Sequence, residues 1–302
     1  MQPPKVKKTW QQVDGVLLLD KAVGMSSNDA LQKARRLFSA AKGGHTGTLD
    51  PLASGLLPLC FGEATKFSAD LLDADKTYEA TLQLGVTTDS GDAEGQVTAT
   101  RPVAVSLADI VAVLPRFGGD ILQVPPMHSA LKRDGRPLYE LARQGVEVER
   151  EARPVTIHGL ELLGFAGEAL SLRVRCSKGT YIRVLAADIG AALGCGAHLT
   201  ALRRTAVADL DLGHAVTLAA IESLAESERA AVLRPVDALL QSLPRIDLEG
   251  PATERFRHGN PVAVTPGQGG RARVYAEGRL IGVGETGSGK LLWPKRLVQL
   301  AS

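Results

Sequence analysis

The chain has 302 residues, enough for one large domain or for a large domain with a small one beside it. It is 44% hydrophobic and 23% charged, the composition of an ordinary globular protein, and this excludes disorder as the organising principle. Lys and Arg number 35 against 33 Asp and Glu, a formal net charge of +2, which excludes a polybasic tail protein but leaves open a local basic patch for nucleic acid.

Residues 1–12 carry Lys5, Lys7 and Lys8 with no apolar stretch behind them, so they read as a basic N-terminal tail rather than a signal peptide. Residues 13–21, VDGVLLLDK, read as a buried strand. Residues 26–38 read as a helix, with Ser and Asn to cap its start and Ala30, Leu31, Ala34, Leu37 and Phe38 at helical spacing. Residues 43–58, GGHTGTLDPLASGLLP, hold too much glycine and proline for a long helix. Within them Asp50-Pro51 has two readings. Asp is a favoured N-cap and Pro a favoured first helical residue, so Asp50 starts a short helical turn; or small neighbours let a ligand come close and Asp50 is presented as a nucleophile.

Residues 78–84 alternate, with Tyr78, Ala80, Leu82 and Leu84 on one face, as do residues 170–176, with Leu170, Leu172, Val174 and Cys176 on one face; both are strands. Between them, residues 123–145 begin as a proline-rich loop and continue as a short helix, with Pro137 near its first turn and Gly145 past its end. Lys132, Arg133, Arg136 and Arg143 make this segment a candidate grip on RNA backbone, the other reading being a solvated face. Residues 180–193 have helical spacing and stop at Gly194. Beyond about residue 243 short apolar runs alternate with Gly and Pro, which predicts a small β domain.

Several chemistries lack their equipment. GETGSGKL, residues 284–291, nearly matches a phosphate-binding loop. Leu291 occupies the place of the hydroxyl that holds magnesium, and Pro294 interrupts the helix that should follow, so the segment reads as a glycine-rich hairpin. His45, His128, His158, His198, His214 and His258 have no metal-ligand spacing, and no dinucleotide or hydrolase-elbow motif occurs. Cys60, Cys176 and Cys195 form no CxxC pair, their number is odd, and no stretch of roughly 18 apolar residues exists; a reduced cytoplasmic location without a membrane span is expected.

Six segments then resemble, in order, the motifs of the TruB family of tRNA pseudouridine-55 synthases: GVLLLDKAVGMSSND from Gly15, GHTGTLDPLASGLLP from Gly44, KTYEATLQLG from Lys76, PPMHSALKRDGRPLYELARQG from Pro125, CSKGTYIRVLAADIG from Cys176 and GCGAHLTALRRT from Gly194. One departure is Ala22, where the family's opening motif has proline. The ending WPKRLVQL more weakly resembles the family's small RNA-binding PUA-like domain. The resemblance implies an α+β pseudouridine synthase fold: a large mixed, mainly antiparallel sheet flanked by helices and loops, in residues 13–243, with an RNA-gripping insertion at about 123–152 and a β-rich PUA-like domain in 244–302.

It also implies the chemistry. Uridine 55 in the T loop of tRNA is flipped from its stack and isomerised: the bond from ribose C1′ to base N1 breaks, the base turns, and C1′ bonds to C5, with no cofactor and no metal. Asp50 is then the nucleophile, attacking C6 or C1′ or acting in a route through C2′ deprotonation. Tyr78 stacks on the flipped base, Tyr181 and Leu202 line the pocket, and Arg183 pairs with Asp50. His45 packs against the disrupted T loop, and Lys21 sits beside the catalytic loop. The enzyme is expected to act as a monomer with tRNA and no protein partner. A non-catalytic RNA-binding or tRNA-folding factor on the same scaffold is the alternative, and a synthase acting mainly on another RNA a third.

Overall fold

The structure, a computed structural model, describes residues 9–129, 131–133, 135–264, 269–287 and 290–299. Lys5, Lys7 and Lys8 of the basic tail, and Ser288 and Gly289 of the phosphate-loop look-alike, lie outside these residues.

The chain opens with β1 (Gly15–Lys21), followed by α1 (Ser27–Leu37), a short β2 (Gly43–His45) and β3 (Ala53–Phe61). Nearly every residue of β1 and β3 is buried, because layers cover both faces of the sheet here. A single-turn helix, α2 (Ser68–Leu72), leads to β4 (Lys76–Leu84). Then come β5 (Gly119–Gln123), α3 (Leu138–Arg143), β6 (Arg153–Ala166), β7 (Ala169–Cys176), α4 (Ile182–Ala192) and β8 (Ala197–Val207).

These strands form one sheet in the order β1-β3-β8-β4-β7-β6-β5, with β2 paired to β3 and Leu210–Asp211 paired to β8. Its pairs are antiparallel except β3 with β8, which run parallel with Leu202 opposite Ala53. The sheet has helices on its faces, the α+β architecture expected from the sequence. The alternation read along residues 78–84 and 170–176 is the alternation of burial: Leu170, Leu172, Val174 and Cys176 join Ala80, Leu82 and Leu84 in one core beneath α4. Gly190 lets α4 sit down on β8, since a Cβ there would stand 2.2 Å from the Ala197 nitrogen.

The C-terminal strands β9 (Arg245–Asp247), β10 (Val262–Ala263), β11 (Gly270–Ala276), β12 (Arg279–Thr286) and β13 (Leu291–Leu297) form a second sheet, in the order β9-β11-β12-β13-β10. Of the phosphate-loop look-alike, Gly284 to Thr286 end β12 and Leu291 begins β13, so a strand and not a helix follows it. Tyr275, Leu280 and Val283 of this sheet share a core with Val16 and Cys60 of the large one and with Phe67 of the turn that follows β3. Arg271 pairs with Asp70, and Lys66 Nζ donates to the Leu297 carbonyl at 2.9 Å, closing the seam.

One local expectation is corrected. Asp50 does not begin a helical turn: the Ala53 amide donates to the Asp50 carbonyl at 3.0 Å, and the chain goes straight from that turn into β3, because residues 53–61 are claimed by the sheet core. Pro137 stands next to the first turn of its helix, as expected: it is the N-cap, extended (φ −63°, ψ 142°) and paired with Lys132, and α3 starts at Leu138.

Candidate active site

Asp50 sits in the loop between β2 and β3, and α1 and β8 fix that loop. The hydroxyl of Ser27, buried in the first turn of α1, accepts from the Leu49 amide at 2.7 Å and donates to the Leu49 carbonyl at 3.0 Å. Ser26 caps the same helix: its hydroxyl accepts from the Asp29 amide and its own amide donates to the Asp29 carboxylate, a complete capping box. From β8, Arg204 donates to the Gly47 carbonyl at 3.2 Å and to the Leu56 carbonyl at 2.8 Å. Gly47 stands at φ +89°, a conformation open to glycine and strained for other residues.

The Asp50 carboxylate points into a cleft of about 900 Å³ and is 43% exposed. Arg183, in the first turn of α4, is itself buried and holds it at 3.0 Å through Nη2. The same Nη2 donates to the His128 carbonyl at 2.7 Å, while Nη1 reaches the Ser90 carbonyl at 3.3 Å and the buried Asp92 carboxylate at 3.4 Å. One guanidinium thus joins the Asp50 loop, the turn around Asp92 and the segment that follows β5. Its planar fork makes such multiple attachment possible where an ammonium point charge does not.

Tyr78 of β4, Tyr181 just before α4, and Leu202 of β8 line the same cleft. Burial pushes the phenol of Tyr78 above its ordinary value, against the pull of the Arg204 guanidinium facing it. Tyr181 is raised as well, again by burial first. Both are therefore neutral hydrogen-bonding aromatics near neutral pH, suited to stacking on an uncharged base.

Lys21 and His45 are not on the cleft wall. Lys21 is buried behind the loop, donating to the carbonyls of Ala22 at 2.9 Å and Met25 at 2.8 Å, and burial lowers it to about 8 while Asp50 pulls the other way. His45 is half-buried on β2; burial and then Arg204 lower it, and its Nδ1 has no hydrogen-bond partner among the described residues. In the insertion, Arg143 lines the cleft with its guanidinium 5.6 Å from the ring centre of Tyr139. Lys132, Arg133 and Arg136 are exposed on the short hairpin; Arg133 donates to the Glu149 carbonyl and Arg136 to the Gln144 side chain.

Sequence reasoning missed Asp92, Arg204, Ser27 and Gln123. Asp92 lies in a turn-rich polar stretch that announces exposure, not burial. For Arg204 a signal existed: successive side chains of a strand face opposite ways, so the pair Arg203-Arg204 must send one cation inward. Arg203 reaches Asp20 at 2.7 Å, and Arg204 goes in.

Residues 35–182 match the family described as TruB family pseudouridylate synthase (N terminal domain), residues 183–241 the tRNA pseudouridylate synthase B C-terminal domain, and residues 244–298 the family described as Pseudouridine synthase II TruB, C-terminal. The chain is 75% identical over 295 residues to the tRNA pseudouridine synthase B of Dechloromonas aromatica (strain RCB), covering 98% of this chain and 99% of that one. It is 60% identical over 286 residues to the protein of the same name from Azoarcus sp. (strain BH72), covering 95% of each. Its fold resembles that of a solved chain from an H/ACA RNP bound to a substrate RNA containing 2′-deoxyuridine, with a TM-score of 0.72 at 22% identity, covering 99% of this chain and 93% of the other. It also resembles one from a Cbf5-Nop10-Gar1 complex, with a TM-score of 0.71 at 24% identity over 98% and 92%.

Proposed function

Since this chain belongs to the TruB family of pseudouridylate synthases, we propose that its cleft receives a uridine flipped from the T loop of tRNA, at position 55, and converts it to pseudouridine. The protein is an isomerase: the glycosidic bond breaks at N1, the uracil turns in place, a bond forms from C1′ to C5, and the C5 proton is lost while N1 gains one. The observation that carries this reading is the Asp50 carboxylate, held at 3.0 Å by Arg183 and half open to a cleft that fits a nucleotide.

Asp50 attacks C6 of the base or C1′ of the sugar, or takes part in a route through C2′ deprotonation. Arg183 fixes the direction of the carboxylate, so that the entropy of aligning it is spent in folding rather than in the reaction. Tyr78, Tyr181 and Leu202 clasp the uracil, and their contacts offset the few kcal/mol needed to unstack it. His45, at the mouth of the catalytic loop, packs against the opened T loop. Lys21 supports that loop from behind. The insertion, residues 123–152, lays Lys132, Arg133, Arg136 and Arg143 along the RNA backbone, and residues 244–302 form a second RNA-binding unit beside the catalytic domain, residues 13–243. The protein acts as a monomer on tRNA, in the cytoplasm, where its three buried cysteines stay free. A purely RNA-folding role does not account for a carboxylate, a clamping arginine and two tyrosines converging on one cleft.

Purified protein, without nucleotide or metal, releases tritium from a tRNA transcript carrying C5-tritiated uridine. Asp50→Asn abolishes release and leaves tRNA binding within about twofold, since it removes one charge and no packing volume. Turnover by this variant comparable to wild type rejects the assignment.

A further inference from the structure

Gln123 ends β5 and is 2% exposed, a buried polar side chain where the sheet gives way to the insertion. Its carboxamide spans 58 positions of sequence to the backbone of Tyr181. The Tyr181 amide donates to Oε1 at 3.0 Å, and Nε2 donates to the Tyr181 carbonyl at 3.3 Å. This is the reciprocal pair that a neighbouring strand would supply, made by one side chain. The partners themselves fix which end of the amide is oxygen, because an N–H faces one end and a carbonyl the other.

Tyr181 is the N-cap of α4, extended at φ −100° and ψ 108°, with no side-chain cap of its own. Its carbonyl already accepts the first bond of the helix, from the Leu185 amide at 3.1 Å, so Gln123 occupies the remaining lone pair. The Tyr181 peptide is thereby held from both sides. From that peptide the Tyr181 ring enters the cleft, and two residues on, Arg183 reaches Asp50. Five residues beyond Gln123, the His128 carbonyl takes a bond from the same Arg183 at 2.7 Å.

We infer that Gln123 is a positioning residue for the isomerisation: its carboxamide sets the Tyr181 peptide, and through it the cleft-lining Tyr181 ring and the arginine that aims Asp50. The inference rests on the reading of the cleft as a uridine site. The carboxamide serves because it offers a donor and an acceptor side by side on one planar group. Glutamate is acceptor-only when ionised, lysine and arginine are donors only, and an apolar side chain leaves the part-buried Tyr181 amide without this partner.

The test compares wild type, Gln123→Met and Gln123→Glu as full-length proteins in single-turnover tritium release from the C5-labelled tRNA. Transcript affinity and melting temperature are measured alongside, and rates are taken well below each variant's melting temperature. Val155→Ala is the stability control, a buried position on β6 that makes no bond to Tyr181. Gln123→Met slows the chemical step roughly 10- to 100-fold, the scale of a misplacement of about 1 Å, with affinity within about twofold. Gln123→Glu is at least as slow, because it keeps the acceptor and turns the donor into a second acceptor. Val155→Ala keeps the wild-type rate. A wild-type rate in either folded Gln123 variant overturns the inference, as does an equal slowing by Val155→Ala. A wild type that releases no tritium overturns instead the reading of the cleft, and this inference with it.

Discussion

Arg183 touches two carboxylates and two carbonyls, yet in the chain it is one arginine in a helical repeat. Its pairing with Asp50 was legible because both lie in recognisable motifs; its pairing with Asp92 was not, since a carboxylate in a turn carries no local mark of burial. Lys21 shows the same limit. It ends a strand of buried leucines, and nothing in GVLLLDK says that its ammonium stays inside on two carbonyls. Burial lowers it from 10.5 to about 8. The unfolded chain therefore binds the extra proton between about pH 8 and 10.5, and in that window stability rises with pH. The cost of holding Lys21 charged is fully present below about 8 and is relieved as pH climbs toward 10.5. Relative to Lys21→Met, wild type gains stability across that interval and shows a constant difference below it; urea midpoints at several pH values between about 7 and 10 measure this. A difference that does not move with pH contradicts the burial of a charged Lys21.

At the scale of elements, the start of α1 does two jobs with two consecutive serines. Ser26 caps the helix, as SSND in front of an amphipathic run foretells. Ser27 turns inward and clasps Leu49, the residue before Asp50, an attachment across 22 positions that no helix rule contains. Ser27→Ala leaves the Leu49 amide buried and unpaired. It lowers stability by about 1–3 kcal/mol in denaturant titration and slows tritium release more than it weakens tRNA binding. Unchanged stability shows that the loop finds another partner. The Asp-Pro pair illustrates the converse. Local chemistry favours an N-cap there, but the strand that follows belongs to the sheet core, and the sheet prevails over a turn of helix worth about 1 kcal/mol.

At the scale of the molecule, the second sheet is not a free appendage: its Tyr275, Leu280 and Val283 complete a core begun by β1 and β3. With a net charge of only +2, binding to tRNA depends on where cations gather rather than on their excess. Affinity for tRNA falls linearly on a log–log plot against salt. The double variant Lys132→Ala, Arg136→Ala lowers the slope by about 1–2, since each phosphate that the protein no longer neutralises takes roughly 0.7–0.9 from it. A slope equal to wild type over about 50–200 mM salt removes the hairpin from the interface.

What the sequence determined by itself was what is local or carried whole in a motif: strand alternation, the capped helix, the α+β class, and the aspartate of GHTGTLDPLASG. What only the tertiary structure decided was the fate of polar side chains. Gln123, Asp92 and Ser27 look like surface residues in sequence and are buried, because each meets a partner brought to it by strand order and helix placement. Periodicity records which face of an element turns inward. It does not record which backbone amide, carbonyl or carboxylate will be waiting there.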